Sequence, residues 1–91
     1  MPKVDAISLG GLDLRFYSSD HLTPHFHAIR PGEWNIRVYL RSTTRDRLDY
    51  SMKWPKEGGG PSGKTRRTLR KLVSENRAAL LREWEENVLV Q

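Results

Sequence analysis

The sharpest alternation in the chain is EWNIRVYLR. Trp34, Ile36, Val38 and Leu40 fall on one side, and Asn35, Arg37, Tyr39 and Arg41 on the other. A period of two marks a strand with one buried face. LDLRFYS repeats the pattern, with Leu12, Leu14 and Phe16 set against Asp13, Arg15 and Tyr17. LDYSMKW does so again, placing Leu48, Tyr50, Met52 and Trp54 together. HFHAI reads as a further extended run, and KVDAISL as a short, mixed one. RPGE and RSTTRDR supply turn or loop residues between the later runs. Short strands with tight links predict an antiparallel meander.

After residue 54 the period changes. PKEGGGPSGK packs four glycines and two prolines into ten residues and predicts a loop. Beyond it Leu69, Leu72, Val73, Asn76, Leu80, Trp84 and Val88 follow steps of three and four, the helical period. The continuous stripe predicts one helix over about 64–87, roughly 36 Å long; a break near Ser74–Asn76 is the alternative. The fold class is α+β. An antiparallel sheet of four or five strands over about 3–54 leads through a glycine-rich loop, 55–63, to one long C-terminal helix packed on one sheet face. The whole, 1–91, reads as a single domain. Leu14, Phe16, Phe26, Trp34, Ile36, Val38, Leu69, Leu72, Val73, Leu80 and Trp84 are its expected core.

Composition narrows the function classes. There is no cysteine among the 91 residues, so disulfides, thiolate metal sites and cysteine nucleophiles are excluded. No apolar run approaches the roughly 20 residues that span a bilayer, and MPKVDAISLGG is a poor signal peptide. A cytoplasmic protein without membrane contact is expected. The net charge of +5 favours an anionic partner, RNA or DNA first. Lys64, Arg66, Arg67, Arg70 and Lys71 crowd the start of the predicted helix, while Glu75, Glu83, Glu85 and Glu86 lie toward its end. That order opposes the helix dipole. It gathers cations, dipole and backbone N–H groups where phosphate would bind; a plain solvated face is the alternative. GGGPSGKT satisfies the text of a nucleotide-phosphate loop. It is rejected as one, because the preceding run is amphipathic and a single helix follows, leaving no room for the required α/β sheet.

All three histidines stand in YSSDHLTPHFHA. On a strand, His25 and His27 point the same way, ~6.6 Å apart. They would share the non-core face with Arg15, Tyr17, Arg37, Tyr39, Arg41 and Lys53, while Phe26 and Ala28 face the core. Pro24 stiffens the bend before them. Three readings stay open. The histidines hold the bend through loop carbonyls. Alternatively, His21, His25, His27 and Asp20 form a metal site, although arginines on the same face repel a dication. In the third, His25 and His27 act as base and acid on an RNA phosphodiester. Arg37 then stabilises phosphate charge, Tyr39 assists, and no cofactor is needed. Arg15, Arg37 and Arg41, together with Lys64, Arg66, Arg67 and Arg70, are the expected nucleic-acid contacts.

FYSSDHLTPHFHA resembles the signature F-Y-S-x-D-H-x-P-P-H-F-H-V of a small bacterial family, the domain of unknown function numbered four-one-six-zero. MPKV and LRKLVSENRAALLREWEE are similar to that family's start and end. The likeness covers residues 1–41 and about 64–86. Thr23 replaces the first proline of the usual pair, Ala28 replaces a valine, and Arg45–Gly63 looks like an extra hairpin or loop. The resemblance marks Tyr17, Ser18, Asp20, His21, Pro24, His25, Phe26, His27, Asn76 and Trp84 as recurring positions. Asn76 is expected to bond a loop or the sheet. No reaction defines the family. Its members are associated with toxin–antitoxin-like gene pairs, which implies a cognate antitoxin protein as partner and admits a homo-oligomer. The sharpest expectation is a metal-independent ribonuclease toxin. The rival is a non-enzymatic interaction module, working through a sheet edge or through Leu89 and Val90.

Overall fold

The computed structural model describes residues 2–17 and 23–89. The alternating runs become strands β1 (Asp13–Arg15), β2 (His25–Arg30), β3 (Trp34–Tyr39) and β4 (Tyr50–Trp54). They form one antiparallel sheet in the order β1-β2-β3-β4. Gly32 takes a positive φ of 78° in the β2–β3 turn, a conformation glycine adopts without a Cβ penalty. The Glu33 N–H closes that turn on the Arg30 carbonyl at 2.9 Å.

KVDAISL does not form a strand. It makes one bridge, Lys3 to Arg15, with the Val4 N–H donating to the Leu14 carbonyl at 2.9 Å. Val4 and Ile7 are both buried. A step of three cannot place two residues on one face of a strand, so this segment packs irregularly over the core. Among the described residues the sheet therefore has four strands. Arg45–Gly63 supplies β4, an integral strand hydrogen-bonded to β3.

The single long helix predicted from the stripe is two. Helix α1 runs Gly63–Glu75 and α2 runs Arg77–Trp84, followed by a π-helical turn at Glu85–Leu89. The Ser62 hydroxyl caps α1 by accepting from the Thr65 N–H at 3.2 Å. Asn76 breaks the run at φ −124°, ψ 21°. Its side-chain Nδ2 donates to the Leu72 carbonyl at 2.8 Å, and its N–H also turns back on Leu72 and Val73. An asparagine side chain that competes for helix carbonyls ends a helix. Asn76 thus bonds its own helix and not the sheet. The link to the loop comes from Arg77, whose Nε donates to the Leu40 carbonyl at 3.0 Å and whose Nη2 donates to Thr43. The apolar stripe survives the break because both helices cover one continuous core.

That core joins Leu14, Phe16, Phe26, Ala28, Trp34, Ile36 and Val38 of the sheet to Leu69, Val73, Leu80 and Trp84 of the helices. Leu72 sits partly buried at its edge, while Val4, Ile7, Leu40, Leu48 and Val88 add to it. Trp54 does not join and is 54% exposed. The β3–β4 register shifts between Asn35 and Ile36: Ile36 pairs with Met52, but Asn35 pairs with Trp54. One extra residue on β4 reverses the facing of the positions beyond it. Trp54 leaves the apolar face for that reason.

Candidate nucleic-acid interface on the outer sheet face

Helices cover one face of the sheet, and the opposite face carries the histidines. The register aligns Arg15 with His27, His27 with Arg37 and Arg37 with Ser51. The Lys3 bridge extends this row past Arg15. A row of paired residues shares a face, so His27 lies between two arginines on adjacent strands. His25 pairs with Tyr39 in the next row, and Asn35 with Trp54 on the other side.

Four rings make a chain across this face. The Tyr17 ring lies 4.0 Å from that of His27, His27 5.3 Å from His25, and His25 5.8 Å from Tyr39, all tilted. Lys53 Nζ stands 4.7 Å from the Tyr17 ring centre, within cation–π range. The Tyr39 and Ser51 hydroxyls share a hydrogen bond of 2.9 Å. Arg15 Nε donates to Asp13 Oδ2 at 2.7 Å, which offsets charge at that end of the row.

The imidazoles are anchored. His25 Nδ1 donates to the Thr23 carbonyl at 2.6 Å, and His27 Nδ1 donates to Asn35 Oδ1 at 3.3 Å. In a neutral ring a donating Nδ1 makes Nε2 the acceptor. His25 is 5% exposed and His27 0%. The histidines expected to share a face with Arg37 and Tyr39 do so, but they form a buried layer there. Arg15, Tyr17, Arg37 and Tyr39 are half-buried around that layer, and Lys53 and Trp54 are exposed. Such a surface offers cations for phosphates and ring faces for bases.

The other expected contacts divide. Arg41 is exposed in the turn after β3. Lys64, Arg66, Arg67 and Arg70 lie on α1, which packs against the apolar face of the sheet, so they do not extend the Arg15–Arg37 row. Lys64 lines a cleft with Arg30, Thr65 and Thr68. Arg66 Nη1 donates to the Pro61 carbonyl at 2.8 Å. Arg67 and Arg70 line a different cleft with Arg45 and Lys71. Of the expected metal set, Asp20 and His21 lie outside the described residues. Among those described, no three His, Asp or Glu side chains gather to hold a metal, and no helix is long and apolar enough to cross a membrane.

Sequence reasoning missed Lys3 and Trp54 as members of this face. The alternation groups Trp54 with Leu48, Tyr50 and Met52, and only the bulge turns it to the other face. Asn35 was visible as an outer position, but its bond to His27 depends on the β2–β3 register.

The family described as a domain of unknown function (DUF4160) matches residues 11–85. That span holds β1 to β4, both helices and every outer-face residue above except Lys3. No curated protein and no solved structure matches the chain.

Proposed function

This chain belongs to the DUF4160 family of domains of unknown function, and from the outer face of its sheet we propose that it binds single-stranded RNA. The observation that carries the reading is the aligned row Lys3–Arg15–His27–Arg37–Ser51, bordered by Tyr17, Tyr39, Lys53 and Trp54. Open sheet faces with rings and cations hold single strands by stacking the bases and neutralising the phosphates. Lys3, Arg15, Arg37 and Lys53 take the phosphates, and Trp54 is the exposed stacking ring. The buried histidines fix the rings in place beneath. The test is titration of a labelled single-stranded RNA, with DNA of the same sequence beside it. Arg37→Gln weakens RNA binding and leaves the melting temperature within a few degrees of the parent. An unchanged affinity sinks the reading.

A ribonuclease is the second reading. It is favoured by the 5.3 Å separation of the two imidazoles, with Arg37 across from His27 and Tyr39 across from His25. His25 and His27 then serve as base and acid, Arg37 stabilises phosphate charge, and Tyr39 assists. Tyr17 must swing off His27 to admit substrate, because His27 is fully buried. Loss of one acid–base group lowers the rate by about 10²–10⁴. Cleavage that survives both His25→Ala and His27→Ala, or that a chelator abolishes, rules this mechanism out. In a toxin–antitoxin-like pair within the cytoplasm, a cognate protein would compete with RNA for the same face, and competition by the neighbouring gene's product measures that.

A further inference from the structure

On the helical layer, four cations meet around one cleft. Arg67, Arg70 and Lys71 stand at steps of three and four along α1, hence on one side of the helix. Arg45 comes from the link between β3 and β4. These four and Glu75 line an open cleft of ≈ 330 Å³. Arg70 Nε donates to the Arg45 carbonyl at 2.8 Å, which ties the loop to the helix and sets the two walls of the cleft. Three arginines and a lysine against one glutamate leave a formal charge of +3. The Arg45 carbonyl does not neutralise such a charge; an anion does.

We propose that this cleft binds phosphate, in a ligand that presents several contiguous phosphate groups. Three features select that chemistry. A single carboxylate would leave most of the +3 unbalanced, whereas a polyphosphate or a run of phosphodiesters matches it. Guanidinium forks pair bidentately with phosphate oxygens, and arginine supplies three of the four cations. The cleft is also at the small end of ligand-pocket sizes, large enough for phosphate groups and small for a whole folded partner. The cleft shares no residue with the outer sheet face, so the proposal stands apart from the RNA-binding reading.

The test uses the full chain and two probes, tripolyphosphate and a short single-stranded RNA, each followed by calorimetric titration. Arg67→Glu with Lys71→Glu reverses two exposed charges and spares the Arg70–Arg45 bond; circular dichroism checks that the fold persists. The RNA arm is run in an Arg15→Gln, Arg37→Gln background, so that the outer face does not mask the cleft. The expected result is a loss of about tenfold or more in tripolyphosphate affinity, of the size charge-assisted bonds give. The same loss for RNA alone assigns the phosphates to a polynucleotide backbone, and for tripolyphosphate alone to a free phosphorylated ligand; both support the site. Affinities for both probes that ignore the charge reversal overturn it. So does a polyglutamate peptide that binds the parent chain as tightly as tripolyphosphate, since the surface would then be a general anion attractor.

Discussion

Both faces of the sheet hold fully buried side chains, for different reasons. On the helix side Phe16, Phe26, Ile36 and Val38 are fully buried and wholly apolar. Burying each such side chain contributes about 1.5–3 kcal/mol. On the other side His27 is as fully buried, yet it is an imidazole between two arginines. Burying a polar ring is favourable only where its hydrogen bonds are replaced. Asn35 Oδ1 and the Thr23 carbonyl do this for His27 and His25. Burial alone therefore does not separate core from site. The outer layer is held by specific partners within a cationic frame, and the inner one by area and shape.

The largest expected effect is on the inner face. Phe26→Ala should cost about 3–5 kcal/mol, the range for emptying a large buried aromatic site, read as a lowered urea midpoint. Arg77→Met comes next. It removes the donors to Leu40 and Thr43 while keeping the aliphatic stem, and should cost about 1.5–3 kcal/mol by the same measurement. A neutral result would mean that the helix break is not pinned to the β3–β4 link. His27→Ala is the sharper probe of the comparison. If the outer layer is structural, it should lose about 1–3 kcal/mol while folded protein keeps much of its RNA affinity. An unchanged melting temperature with lost cleavage would instead favour the catalytic reading. The smallest stability effect belongs to Trp54→Ala, within about 0.5 kcal/mol because the ring is mostly exposed. Its RNA affinity should nevertheless fall by about 1–3 kcal/mol, the worth of one stacked base.

Much of this arrangement was legible in the sequence, because period two is a strong constraint wherever a strand has one buried face. It placed Leu14, Phe26, Ile36 and Val38 inward, and Arg15, His25, His27, Arg37 and Tyr39 outward. Three features were not legible, each for a local reason. Val4 and Ile7 are core residues three apart, a step that fits neither face of a strand. Asn76 stands on an unbroken apolar stripe, which favours one helix over the alternative break near Ser74–Asn76, and only its side-chain bond to Leu72 decides for the break. Trp54 follows the alternation of β4 until the bulge reverses it. Charge counting also merged two surfaces: Arg15 and Arg37 belong to the sheet, Arg67 and Arg70 to the helical layer. The depth of the histidines was hidden as well, since their spacing fixes their direction and says nothing of what covers them.

The most direct test of the central claim is the salt dependence of single-stranded RNA binding, for the parent chain and for Arg15→Gln with Arg37→Gln. For single strands the logarithm of affinity falls with slope of about −0.7 per neutralised phosphate. Contacts from Lys3, Arg15, Arg37 and Lys53 predict a slope of about −2.8, a loss of roughly 50-fold between about 50 and 200 mM salt. Removing two of the four predicts a slope of about −1.4 and a loss of roughly sevenfold over the same interval. Equal slopes in the two proteins, or no RNA binding by the parent at about 50 mM salt, would contradict the assignment of this face.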